Sequence, residues 1–133
     1  MLDRLTNALD FQAQALTLRA ERQRLIASNI ANADTPGYQA RDMDFATALR
    51  QASGELKPAG LATSAAGHLS PDHSATADAQ LLYAAPSMTN LDRNTVDMDR
   101  ERASFADNSV KYEATLRFIN SNVSTMLAAI KGQ

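Results

Sequence analysis

The stretch Asn29-Ile30-Ala31-Asn32-Ala33-Asp34-Thr35-Pro36-Gly37-Tyr38 ends a long amphipathic run and decides how the rest of the chain divides. Thr35 precedes a proline, which disfavours the helical region for the threonine. Pro36-Gly37 suits the two central positions of a type II turn, where glycine accepts positive φ. A helix arriving from the N-terminal side must therefore stop near Ala33. Upstream, Leu2, Leu5, Leu9, Leu16, Ile26 and Ile30 recur at threes, fours and sevens among helix-favouring Ala, Gln, Arg and Glu. This predicts one helix of nearly thirty residues within 1–33, about 40 Å long at 1.5 Å per residue. Gln12, Arg19 and Gln23 fall on the same stripe and are its weak points, because polar groups are costly in a dry core.

Downstream of the turn, residues 34–50 hold a short connecting segment in which Phe45 to Leu49 forms a small helical turn. Residues 51–90 change character: Ser53, Gly54, Pro58, Gly60, Gly67, Pro71 and Pro86 punctuate a stretch with few large apolar groups. A structureless run this long is uncommon in a compact domain, so it reads as a flexible or partner-ordered insert with one short extended piece around Leu81 to Tyr83.

The second helix is predicted over 94–131. Asn94 is a good N-cap with Asp97 at the third helical position, and Asp97, Asp99 and Glu101 put negative charge on the positive end of the helix dipole. Lys131 and Gly132 supply the stop. Met98, Phe105, Tyr112, Ile119 and Met126 form one seven-residue series, and Leu116, Val123 and Ile130 complete the other toward the C-terminus. This is a coiled-coil seam, weaker in its first half where Arg102 and Ser109 stand at the companion positions.

The fold class is mainly α: long N- and C-terminal helices pairing as a coiled coil, with an irregular, low-complexity middle segment, all in one structural domain. Leu5, Leu9, Leu16, Ile26, Ile30, Phe105, Tyr112, Leu116, Ile119, Val123, Met126 and Ile130 are the residues expected to carry packing. A two-helix hairpin covers only half of such seams, and the remaining apolar surface predicts association with neighbours.

Bulk composition agrees. The chain has 133 residues and 44% hydrophobic content, but only four Phe, three Tyr and no Trp, so the side chains that dominate core energetics are scarce and a thick core is not expected. Net charge is −2, and acids balance bases at both ends of the chain, which leaves no basic footprint for nucleic acid or an anionic membrane. Absence of cysteine excludes disulfides, thiolate catalysis and Cys-based zinc sites. Asp3, Arg4, Asn7 and Asp10 interrupt any secretory h-region, so neither a cleaved signal nor a membrane span is expected, and export would need another route.

No residues converge on chemistry. His68 and His73, with Asp72 and Asp78 nearby, lie in the Ser/Pro/Gly-rich insert and read as solvated loop residues. Asp97, Asp99 and Glu101 lack the calcium-loop glycine and distal glutamate. Arg19, Arg22 and Arg24 are tempered by Glu21. Neither G-x-S-x-G nor G-x-x-x-x-G-K-[ST] occurs. Catalytic, cofactor-binding and metal residues are all expected to be none, with no small-molecule substrate. For Asn29 and Asn32 two roles stand together, C-terminal capping of the helix and bonding across to the partner helix or the next subunit.

The residues SNIANADTPGYQARDMDF at 28–45 closely resemble the signature of the bacterial flagellar axial family, the rod, hook and hook-filament junction proteins, whose N-terminal helix ends in N-x-A-N-x-x-T-P-G-Y. Here the matching positions are Asn29, Ala31, Asn32, Thr35, Pro36, Gly37 and Tyr38. The segment NTVDMDRERASFADNSVKYEATLRFI at 94–119 is similar to the C-terminal region of the short proximal rod proteins, and the two matches cover about a third of the chain. The resemblance implies a structural subunit of the proximal rod in the basal body, assembling helically through its terminal helices. It implies as partners other rod proteins, the membrane-ring and rod-adaptor proteins, and the export gate. It also implies passage through the flagellar type III apparatus without a cleaved signal, with Phe45 and Leu49 matching the short Phe-x-x-x-apolar export pattern of early substrates. Against this stand a sister rod protein, a helical binding adaptor or export chaperone, and an enzyme, which would need a pocket of convergent polar groups.

Overall fold

The computed structural model describes residues 2–54, 81–84 and 90–132. In chain order these form α1 (Leu2–Ala31), β1 (Arg41–Met43), α2 (Phe45–Ala52), β2 (Leu81–Tyr83) and α3 (Met98–Lys131). Most of the insert, including His68 and His73, lies outside the described residues, as does the side chain of Leu5.

α1 and α3 lie side by side and antiparallel. Asn29 near the end of α1 meets Glu101 near the start of α3 at 3.2 Å, while Gln12 near the start of α1 meets Asn122 near the end of α3 at 3.1 Å. With 34 residues, α3 is about 50 Å long.

The helix ends are set by local chemistry. α1 stops at Ala31, two residues short of the expected Ala33, and passes into turns. Gly37 has φ 73°, and the Tyr38 N–H donates to the Thr35 carbonyl at 3.2 Å, so the Pro36-Gly37 pair does form the predicted tight turn. At the other end Gly132 adopts φ 71° and donates its N–H to the Ala128 carbonyl, closing α3 with a left-handed cap.

The start of α3 corrects the sequence reading. The N-cap is Asp97, whose carboxylate accepts from the Asp99 and Arg100 N–H groups, both at 3.2 Å. Asn94 does not cap the helix, because its side chain is committed to the turn that follows α1. The acidic first turn of Asp99 and Glu101 still meets the positive end of the helix dipole.

Among the described residues the thick packing lies beside the middle and C-terminal half of α1. Asp44 caps α2 by accepting from the Ala46 and Thr47 N–H groups at 3.1 and 3.3 Å. Within α2, Phe45, Ala48, Leu49 and Ala52 recur on one helical face and pack with Leu18 and Leu25 of α1 and Met43 of β1. β2 pairs antiparallel with β1 in the register Arg41↔Tyr83, Asp42↔Leu82, Met43↔Leu81, so the short extended piece read at Leu81 to Tyr83 finds its partner just beyond the turn. Beyond this small cluster the hairpin continues as a bare helix pair.

Candidate assembly interface

The motif residues form a clamp between the exit of α1 and the entry to α3. Asn29 is buried, and its side chain binds both backbone groups of Arg41: Nδ2 donates to the carbonyl at 2.7 Å and Oδ1 accepts the N–H at 3.1 Å. The same amide donates to Glu101 at 3.2 Å and accepts from the Tyr38 hydroxyl at 3.3 Å. A single asparagine thus ties α1, the β1 strand, the turn tyrosine and α3 together. Asn32 donates to the Ser28 carbonyl at 2.8 Å and accepts from the Thr35 hydroxyl at 3.2 Å, satisfying the frayed end of α1.

From the α3 side, Asn94 is fully buried and its Nδ2 donates to the carbonyls of Asn32, Ala33 and Thr35 at 3.0, 2.7 and 2.8 Å. Its Oδ1 accepts the Val96 N–H at 2.8 Å. The Gly37 N–H donates to the Asp92 carbonyl at 2.8 Å, and Thr95 closes the contact by giving its N–H to Tyr38 and taking the N–H of Ala40 on its hydroxyl. Arg93, with φ 62°, turns the chain into this position.

Along the helix pair, the polar positions that looked like flaws on each stripe meet one another. Gln23 donates to the Ser109 hydroxyl at 2.8 Å and accepts from Asn108 at 2.6 Å. Asn108 is buried and also donates to the Arg19 carbonyl at 2.9 Å. With Asn29–Glu101 and Gln12–Asn122, these make three hydrogen-bonded rungs between α1 and α3.

The rungs reveal which face of α3 meets α1, and this corrects the seam. The expected partners of the Phe105, Tyr112, Ile119, Met126 series were Leu116, Val123 and Ile130. Instead Glu101, Asn108 and Asn122, each one residue earlier in the heptad, touch α1, together with Ser109 of the expected companion series, which bonds Gln23. Tyr112, Ile119 and Met126 are half-buried, but Val123 is 40% and Ile130 75% exposed. Leu116, Phe105 and Leu127 are exposed beside them, making an apolar flank along one side of α3. On α1, Ile26 is buried, and Leu9, Leu16 and Ile30 are half-buried. Shallow grooves follow the junction of the two helices on the same side as this flank, one lined by Ala27, Ile30, Ala31, Arg102 and Phe105, another by Ala20, Gln23, Arg24, Ser109 and Tyr112.

The electrostatics are those of a structural contact. Glu101 has its pKa raised, chiefly by burial, while the Asn29 hydrogen bond pulls the other way. Arg19 is lowered by burial and by the nearby Arg22, with Asp107 opposing, and its guanidinium lies 4.3 Å over the Phe45 ring. Asp44 is lowered, first by the Thr47 hydroxyl bond, as suits an N-cap carboxylate. Arg22 pairs with Asp42 at 3.5 Å, bracing β1 against α1. Among the described residues there is no cluster of three His, Cys, Asp or Glu able to hold a metal, and no helix long and apolar enough to cross a membrane.

Of the motif residues, Asn29, Asn32, Thr35, Gly37 and Tyr38 converge on the clamp, whereas Ala31 and Pro36 remain exposed. Phe45 and Leu49 are half-buried against the small core. Two residues that sequence reasoning missed are Asn94, misassigned as a cap, and Asn108, passed over on the flank of the seam. Their signal was an asparagine at heptad spacing from Glu101 and Asn122 on an otherwise helix-favouring surface.

Comparison with known proteins agrees with this architecture. Residues 9–39, most of α1 and the turn, match the family model described as "Flagella basal body rod protein". Over nearly its full length the chain is 50% identical to the flagellar basal body rod protein FlgB of Salmonella typhimurium, with 99% of each chain covered. It is 49% identical to FlgB of Proteus mirabilis and 44% identical to FlgB of Escherichia coli, with 98% of each chain covered in both cases. The chain belongs to the FlgB family of flagellar basal body rod proteins, structural subunits of the bacterial flagellum.

Proposed function

We propose that this chain builds the proximal rod by packing its terminal helix pair against neighbouring subunits in a helical wall. The observation that carries this reading is the apolar flank of α3: Leu116, Val123 and Ile130 keep heptad spacing yet stay uncovered in the single subunit. Repeated apolar residues at that spacing serve packing against another helix. A head-to-tail contact that does not close produces a helical assembly of the kind a rod requires. The role is mechanical rather than catalytic, and the neighbours are other rod proteins, with the membrane ring and rod adaptor at the membrane-proximal end of a periplasmic rod.

Val123→Asp tests the packing role, since Val123 is exposed in the lone subunit and a charge there leaves the fold intact. Cells with this variant as their only copy are expected to accumulate the protein but to lose swimming and rods. Normal swimming would overturn the proposal.

The same reading has the subunit leave through the flagellar type III gate, with Phe45 and Leu49 as the recognised pair. Both also pack on Leu18, so the comparison must separate folding from recognition. Export into the medium is expected to fall sharply for Phe45→Ala and to persist for Leu18→Ala, which loosens the same cluster. Equal export of the two variants would remove Phe45 from the signal.

A further inference from the structure

α3 carries two overlapping heptad seams that share the series Phe105, Tyr112, Ile119 and Met126. One continues through the polar Glu101, Asn108, Thr115 and Asn122; the other, one residue ahead, through Leu116, Val123 and Ile130. Adjacent residues lie about 100° apart around a helix axis, and because the two seams share one series their midlines differ by about 50°. Burial of apolar area alone favours turning α3 by that amount, so that the Leu116 series enters the hairpin and the polar series leaves it. The structure has the opposite arrangement. Asn108 is 1% exposed and Val123 40%, with Asn108 pinned by Gln23 and the Arg19 carbonyl.

We infer that the three polar rungs, Asn29–Glu101, Gln23–Asn108 and Gln12–Asn122, set the rotation of α3 and thereby hold the Leu116, Val123 and Ile130 series outward. Each rung binds a side chain on α1 to one on α3, and a turned α3 would separate them. The α3 members would then reach water, but on α1 Gln23 and the buried Asn29 amide would each lose a bond while facing the apolar series, which makes the apolar-in arrangement the worse of the two. Buried polar residues that fix helix register at a cost in stability work in the same way. The rungs are thus positioning residues for assembly: they touch no neighbour, but they decide which face a neighbour finds. Their purpose rests on the packing role proposed above, whereas the rotation itself is measurable in the lone subunit whether or not that role holds.

The chain contains no cysteine, so single cysteines can report the rotation by maleimide labelling of the full-length protein. Val123→Cys samples the outward series and Thr115→Cys the inward one. With the rungs intact, position 123 is expected to react faster than position 115. In the Gln23→Ala/Asn108→Ala background the order is expected to reverse, with labelling at 123 slowed about tenfold by burial. Unchanged order with helix content retained would overturn the inference. If that inner pair loses its helix signal, Gln12→Ala/Asn122→Ala decides, because this rung lies at an exposed site and its removal spares the fold. There the expected result is slower labelling at 123, and an unchanged rate overturns the inference.

Discussion

Asn94→Ala is expected to destabilise the subunit by about 3 kcal/mol, since it takes this donor from the Ala33 carbonyl and leaves the Asn32 and Thr35 carbonyls with only the Thr35 and Tyr38 N–H groups. An unpaired buried acceptor costs roughly 1–3 kcal/mol, and here one amide nitrogen serves three acceptors at once. The Val96 N–H loses its partner too. Asn94→Asp should be worse, because a carboxylate would face the same carbonyl oxygens that now receive N–H groups. Urea unfolding followed by helical circular dichroism measures the effect. A loss below about 1 kcal/mol would mean that the clamp is not what joins α1 to α3.

The second large effect concerns the shared seam. Ile119 is half-buried where α3 leans on α1, in the series that serves both the hairpin and the apolar flank. Ile119→Asp places a charge in that contact. The expected cost is about 3 kcal/mol or more to the hairpin, together with loss of rod assembly and swimming. Ile119→Val, which trims one methylene, is expected to cost about 1 kcal/mol and to leave motility intact. Soft-agar motility and basal-body preparations read both variants. Normal swimming with Ile119→Asp would contradict the packing assigned to this series.

Much of the fold was legible because it rests on local rules. The apolar spacing of Leu9, Leu16, Ile26 and Ile30, the stop at Pro36-Gly37 and the cap at Gly132 are readable within a few residues. The helical turn at Phe45 to Leu49 and the extended piece at Leu81 to Tyr83 were legible for the same reason, although the pairing of the latter with Arg41–Met43 was not. What escaped is long-range. Asn94 has the composition of an N-cap, and only the fold brings it to carbonyls about sixty residues away, so local preference pointed to the wrong role.

The rotation of α3 was ambiguous for a different reason. Two seams, one residue apart, both fit a seven-residue period around Phe105, Tyr112, Ile119 and Met126, and hydrophobicity favoured the Leu116 series. The decision came from Gln12, Gln23 and Asn29, which appear as defects or caps in a single helix and become partners only when a second helix is laid against them. In a chain with few large apolar side chains, the polar pairs carry the specificity that a thicker core would supply by shape.

A reconstruction of intact basal bodies by electron cryomicroscopy, at a resolution that shows side chains in the rod, tests the central claim most directly. Leu116, Val123 and Ile130 of this subunit are expected to lie against a helix of an adjacent rod subunit, with the Asn108 rung still turned toward α1. Those three side chains facing open solvent in the assembled rod would contradict the account.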